Sequence, residues 1–207
     1  MARYYEIGGK LYTSVTTALS IIRKPQLEIW RGNLGNEEAD RVRDEAAELG
    51  RNIHTWCHEV VKGGELYPHP LVEAFAEWFK AMVKEVVLAE KPVWSDKYRY
   101  AGRPDLAIIL KGDRTTPTVI DIKTTADIWP DMGLQLAAYQ GAMDEQGIKT
   151  KRRMIVHLSK KTEKLKTREF DNPLDFNMFL YALQLHNYFE GGKLDGRQQS
   201  REIVRIS

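Results

Sequence analysis

The sequence predicts an α/β (α+β) domain, a central mixed β-sheet flanked by helices, with a mainly helical N-terminal part. Three observations carry this reading. Apolar residues recur at helical spacing up to about residue 86, and again over 131–146 and 173–189. Between 87 and 122, and over 152–170, short apolar runs separated by turn signals replace that period. The chain has 207 residues, 43% hydrophobic and 29% charged, which is enough for one domain with its own core.

The elements follow in order. Ser14 is placed to cap a helix over 15–31, interrupted at Pro25. Asn36 is placed to cap a longer helix over 37–62, stopped by Gly63 and Gly64. Pro70 opens a helix over 70–86, with Leu71, Phe75, Trp78, Phe79 and Met82 at helical spacing. Strands are expected over 87–94, 97–101, 106–110 and 118–122, with Lys111, Gly112 and Asp113 turning between the last two. A helix over 131–146 ends at Gly147, strands over 152–158 and 164–170 form a hairpin, and a last helix over 173–189 stops at Gly191 and Gly192. One domain over 1–207 results: a mainly helical part at 1–86, a sheet core at 87–170, and a C-terminal helix and tail at 171–207.

Composition excludes several classes. Cys57 is the only cysteine, so an internal disulfide and an all-cysteine zinc or iron–sulfur site are impossible. No run approaches the ~18 apolar residues of a membrane span, and the first ten residues lack an apolar signal core. A cytoplasmic location is the expectation. Net charge is only +2, but residues 149–168 hold nine Lys or Arg against Glu163 alone. That segment is +8 and the remainder −6; it is either a solvated hairpin or an edge that faces phosphates.

The chemistry is concentrated at Gly102-Arg103-Pro104-Asp105 and Asp121-Ile122-Lys123. A hairpin turning at residue 113 pairs positions whose numbers sum to 226, so Asp105 falls opposite Asp121. Cross-strand Cβ atoms lie ~4.5–5.5 Å apart, a distance at which two carboxylates repel unless a cation sits between them. Lys123, two residues on, projects from the same strand face as Asp121. Two carboxylates with an ammonium beside them can hold a hard divalent ion and aim a bound water. An isolated Asp-x-Lys needs no more than strand-end solvation to explain it. Here the aspartate ends an apolar strand, and a second one stands at the matching position.

With these motifs the sequence resembles the PD-(D/E)XK nuclease superfamily and, within it, the RecB-type exonuclease branch. Residues 102–105 look like the branch's GxxD, and Asp121 to Lys123 like its (D/E)xK. Gln135 to Tyr139 look like its QxxxY, and Gly50 to His54 like its upstream helix with a metal-binding histidine. The match spans about residues 50–139. It implies a restriction-endonuclease-like core in which His54, Asp105, Asp121 and the Ile122 carbonyl hold Mg²⁺ or Mn²⁺. Lys123 would position the attacking water, Asp105, Asp121 and Lys123 being the catalytic set, while Gln135 and Tyr139 help hold DNA and the site. Arg103, Thr124, Lys160 and Lys161 are further expected DNA contacts. The single cysteine excludes the iron–sulfur variety, and no phosphate-binding loop of a helicase is present. The implied protein is a free-standing, metal-dependent DNA exonuclease of recombination, repair or replication, acting on DNA that is single-stranded or has free ends. A site- or structure-specific endonuclease and a catalytically silent DNA-binding protein are the alternatives; the oligomeric state stays open.

Other residues read more plainly. His54 and His58 are four apart, but Thr55 stands where a zinc protease helix needs Glu, so His58 reads as surface or structural. Cys57 reads as a small buried hydrophobe. Glu90 is either a second metal contact or, the simpler reading, half of a salt bridge. The five tryptophans read as core, Trp129 alone being placed to stack on a base. Thr124 and Thr125 either donate to a phosphate or satisfy backbone groups at a strand end.

Overall fold

In a computed structural model, which describes residues 2–191 and 201–206, the chain opens as a hairpin. Strands β1 (Ala2–Ile7) and β2 (Lys10–Ser14) pair antiparallel across Gly8 and Gly9, both at positive φ. No helix is expected before Ser14, and this hairpin adds two strands to the N-terminal part. A Gly-Gly pair between two short strands is itself a tight-hairpin signal. Ser14 does cap a helix: its side chain accepts from Thr17 N, opening α1 (Val15–Leu19). The chain then breaks, and Pro25 begins a separate helix α2 (Pro25–Leu34). Gly35, at φ 81°, takes the cap position of α3 (Asn36–Val61), with Asn36 already inside the first turn.

Helix α4 (Pro70–Met82) is shorter than its apolar period suggests. From Val83 onward, with Val83, Val86 and Val87 β-branched, the residues join a strand, β3 (Val83–Ala89). The expected strand 87–94 is therefore two: β3 and, after a turn at Glu90, β4 (Val93–Ser95), which belongs to a different sheet. Next come β5 (Tyr100–Gly102), β6 (Leu106–Leu110), β7 (Thr118–Lys123), α5 (Asp131–Glu145), β8 (Arg152–Ser159), β9 (Lys164–Glu169), α6 (Asp175–Gly191) and β10 (Arg201–Ile206). Gly192 lies outside the described residues.

The α/β (α+β) class holds, and its sheet is two sheets of five strands. One has the order β3-β6-β7-β8-β9, the other β10-β1-β2-β5-β4. In the first, β7 and β8 are parallel, joined through α5, while the other pairs are antiparallel. Both faces of this sheet are covered, which is why β6 and β7 read as nearly unbroken apolar runs. Ala107, Val119 and Ile155 pack with α1, α5 and α6 on one face. Leu106, Ile108, Ile120 and Val156 pack with α3 and α4 on the other. By alternation, Asp121 and Lys123 fall on the face that carries α5. No helix among the described residues is long and apolar enough to cross a membrane.

Phe179 of α6 is fully buried in the first of these cores, edge-on to Tyr100 with ring centroids 4.8 Å apart. Phe179→Ala should cost about 3–5 kcal/mol of unfolding free energy, read as a lower urea midpoint.

Candidate active site

Four elements bring charged groups to one end of the β6–β7 pair. The register Leu106–Ile120, Ala107–Val119 and Ile108–Thr118 keeps the sum of 226, so Asp105, just before β6, faces Asp121 near the end of β7. Asp105 is anchored there: its Oδ2 accepts from Ile122 N at 2.6 Å. From α3, where Ile53 and Cys57 hold the helix to the core, His54 Nε2 reaches Asp105 Oδ1 at 3.0 Å and Glu90 Oε1 at 3.4 Å. Glu90 sits between β3 and β4 at φ 51°, a conformation costly for a non-glycine residue, and its N–H donates to Asp105 O. Its other oxygen meets Arg103 Nε at 2.7 Å.

Asp121 is 2% exposed. Its Oδ2 lies 2.6 Å from Lys123 Nζ, and its Oδ1 accepts from Gln135 Nε2 at 3.0 Å. Gln135 also donates to Tyr139 Oη at 2.9 Å, so the residues four apart on α5 act through one side chain on the carboxylate. Burial, reinforced by the neighbouring Asp105 charge and opposed by Lys123, pushes the Asp121 carboxyl up to about 6. Burial works against the Lys123 ammonium too, but Asp121 and Asp105 outweigh it, so its pKa is raised and it stays charged. The bond to Asp105 raises His54 despite its burial. Burial raises Tyr139 well above an ordinary phenol, keeping it neutral.

The cleft around these groups encloses about 210 Å³, with Arg3, Tyr5 and Thr16 from the N-terminal segment forming its far wall. Among the described residues, His54, Glu90 and Asp105 form a cluster of three potential metal ligands, their ligand atoms all within 4.8 Å of one another. Two of the separations are 3.0 and 3.4 Å, short enough for each pair of donors to share one cation at about 2.0–2.2 Å. Nitrogen and carboxylate donors with a second buried carboxylate alongside suit a hard divalent ion.

The structure thus brings together His54, Asp105, Asp121, Lys123, Gln135 and Tyr139, with the Ile122 backbone and Arg103 at the margin. Glu90 was readable as a second metal contact or, more simply, as half of a salt bridge; it makes that bridge with Arg103 and also stands in the cluster. Thr124, Lys160 and Lys161 line a neighbouring cavity of about 800 Å³ that also includes His54. Elsewhere in the basic segment, Lys151 and Arg152 pair with Asp113, and Arg153 with Asp175. The register Lys123–His157–Lys166 puts Lys166 on the Lys123 face, two strands away. Burial pushes the Cys57 thiol up to about 12, which removes it as a nucleophile. His58 is outside the cluster, and Trp129 packs against the core. Thr125 Oγ1 donates to Asp127 O.

Gly102 explains one motif position. A Cβ there would lie 2.4 Å from Tyr139 Cε1 and 3.0 Å from Val15 Cγ2, and the Tyr139 ring is buried and cannot swing away. Gly102→Ala should therefore cost about 1–3 kcal/mol, seen as a lower urea midpoint, whereas Gly112→Ala, with open space at its Cβ position, strains only its own backbone at φ 94°.

Known proteins were compared with this geometry in hand. No protein of curated function matches the sequence. A candidate exonuclease from Eubacterium rectale has the same fold at 12% identity and a TM-score of 0.52, over 89% of this chain and 83% of that one. An alkaline exonuclease from Laribacter hongkongensis aligns at 13% identity and a TM-score of 0.41, over 88% and 92%. The model of one family, the PD-(D/E)XK nucleases, matches residues 27–200. That span takes in His54, Glu90, Asp105, Asp121 and Lys123 together, and the chain belongs to the PD-(D/E)XK nuclease superfamily.

Proposed function

We propose that this chain is a DNA exonuclease dependent on Mg²⁺ or Mn²⁺, acting in the cytoplasm on DNA that is single-stranded or has free ends, in recombination, repair or replication. One observation carries the reading: Asp105 and Asp121 face each other at the floor of a cleft, with Lys123 2.6 Å from Asp121 and His54 3.0 Å from Asp105. Folding alone gains little from such an arrangement. It buries a carboxylate beside a second one, which is a cost that functional sites carry.

In this reading His54, Asp105, Asp121 and the Ile122 carbonyl hold the ion, and Glu90 is placed to add a carboxylate. A divalent cation, when bound, polarises the phosphoryl group and lowers the pKa of a coordinated water. The protein's own groups supply orientation and charge. Gln135 fixes the Asp121 carboxylate from one side and Lys123 from the other. Lys123, held in the charged form, sits where it can steer the attacking water and offset negative charge that grows on the phosphate. Asp105 is fixed to the Ile122 N–H, so its orientation does not depend on substrate. Arg103, half exposed at the rim, and Thr124 are donors for flanking phosphates.

The test is end-labelled DNA, single- and double-stranded, linear and circular, with Mg²⁺ or Mn²⁺. Linear DNA should be degraded from its ends and circular DNA spared, and Asp121→Asn or Lys123→Ala should lower kcat by ~10²-fold or more. Cleavage of circles would make the protein an endonuclease on this fold. Binding without cleavage would make it a catalytically silent DNA-binding protein.

The shifted groups also set a pH dependence. Metal ligation needs Asp121 ionised and His54 neutral, and both groups bind protons more tightly than usual when no ion is present. Protons therefore compete with the ion first at His54, above the ordinary imidazole pKa of about 6.5, and then at Asp121, at about 6. The rise in Tm produced by Mn²⁺ should be largest well above that range and shrink as pH falls through it. A rise independent of pH would place the ion elsewhere.

A further inference from the structure

Three cavities run into one another across the site. The central one, about 210 Å³, contains the carboxylates and Lys123. It shares His54 with the cavity of about 800 Å³, which lies between α3 and the ends of β7 and β8. It shares Thr16 and Gln135 with a third, of about 490 Å³, between α1, α2 and the start of α5. The cavity with the catalytic groups thus borders both of the others, which form two arms of the site.

The two arms differ in charge. Arg51, Lys160 and Lys161 line the larger one, and no acidic residue does. Lys160 is tied to Ala46 O at 2.7 Å, which fixes its ammonium over the arm and leaves two of its N–H groups to spare. Among the described residues Arg51 and Lys161 make no ion pair and no side-chain hydrogen bond. Of the hydroxyls there, Thr55 and Thr125 already donate to backbone carbonyls, while Ser159, which accepts from Thr162 N, and Thr124, next to Lys123, keep their protons available. In the smaller arm every base is matched. Arg23 pairs with Glu28 at 2.6 Å and Lys24 with Asp131 at 2.7 Å, so its formal charge is zero.

The larger arm also starts at the chemistry. Arg51 is three residues before His54 on α3, about 4.5 Å along the helix axis. Gly50 lets α3 come down onto β7: a Cβ at this position would be 2.8 Å from Thr124 Oγ1. One anchored cation, Lys160, two unpaired ones, Arg51 and Lys161, and the Thr124 hydroxyl thus line the arm that shares His54 with the site.

We propose that the unreleased body of the DNA strand lies in the basic arm, held by Arg51, Thr124, Lys160 and Lys161, and that the cleaved nucleotide leaves through the neutral arm. The assignment rests on the nuclease reading above and adds a direction to it. A polyanion gains from the basic arm and finds no net attraction in the other. Holding the substrate on one side of the cut, and not the product on the other, lets the enzyme release its product and keep its strand.

The test compares two sets of variants on a single-stranded oligonucleotide with Mn²⁺. Arg51→Gln with Lys160→Gln and Lys161→Gln should raise KM about tenfold or more. It should also flatten the logarithmic salt dependence by about 2, at ~0.7 for each lost phosphate contact on a single strand. Arg23→Gln with Lys24→Gln should move KM by less than about twofold and leave the salt dependence alone. Equal effects from both sets, or an unchanged KM and salt dependence in the first set while DNA is still degraded, would overturn the assignment. A parent protein that hydrolyses neither the oligonucleotide nor bis(p-nitrophenyl) phosphate would remove the nuclease reading, and this assignment with it.

Discussion

Two carboxylates that repel each other are held face to face across the β6–β7 pair, and the surroundings of the site follow from that constraint. The register places Asp105 opposite Asp121, and the Ile122 N–H holds Asp105 in place. The repulsion is balanced by positive charge from two directions, Lys123 on the same strand and His54 from α3. At ~4–5 Å such charges interact by about 4 kcal/mol each at an effective dielectric constant near 20. The balance is therefore strong enough to set the protonation states of the whole cluster, and a divalent ion would shift it.

The shell around the pair converts packing into orientation. Gly102 leaves room for the Tyr139 ring, Tyr139 supports Gln135, and Gln135 holds Asp121. Each link is a contact with little slack, because the ring is buried and the helix carrying both residues is part of the larger core. The backbone of Glu90, at positive φ, is tied to Asp105 through a main-chain hydrogen bond, so its carboxylate is delivered from the end of β3, the strand paired with β6.

How much of this was legible follows from how local each signal is. The strands β6 and β7 are short apolar runs around a turn, and their pairing can be counted from the sequence; Asp105, Asp121 and Lys123 came from that count. His54, Gln135 and Tyr139 lie on other elements, and only the resemblance to a known family pointed to them. The pairing of the second sheet was not legible, although strands near β4 and β5 were. Its strands β1 and β10 are about 200 residues apart, and a parallel pair closed over that distance leaves no local periodicity. The helix expected at 70–86 overran because its apolar spacing continues into Val83, Val86 and Val87, where pairing with β6 overrides the period. Glu90 stood between a metal contact and a salt bridge, since its approach to His54 depends on how α3 crosses the sheet.

The most direct measurement is the anomalous diffraction of a crystal soaked in Mn²⁺ above pH 7. The account predicts one ion about 2.0–2.2 Å from His54 Nε2 and from one carboxylate oxygen each of Asp105 and Asp121, with Lys123 moved off Asp121. An ion bound away from these residues, or none at all with the His54–Asp105 and Lys123–Asp121 contacts unchanged, would contradict it.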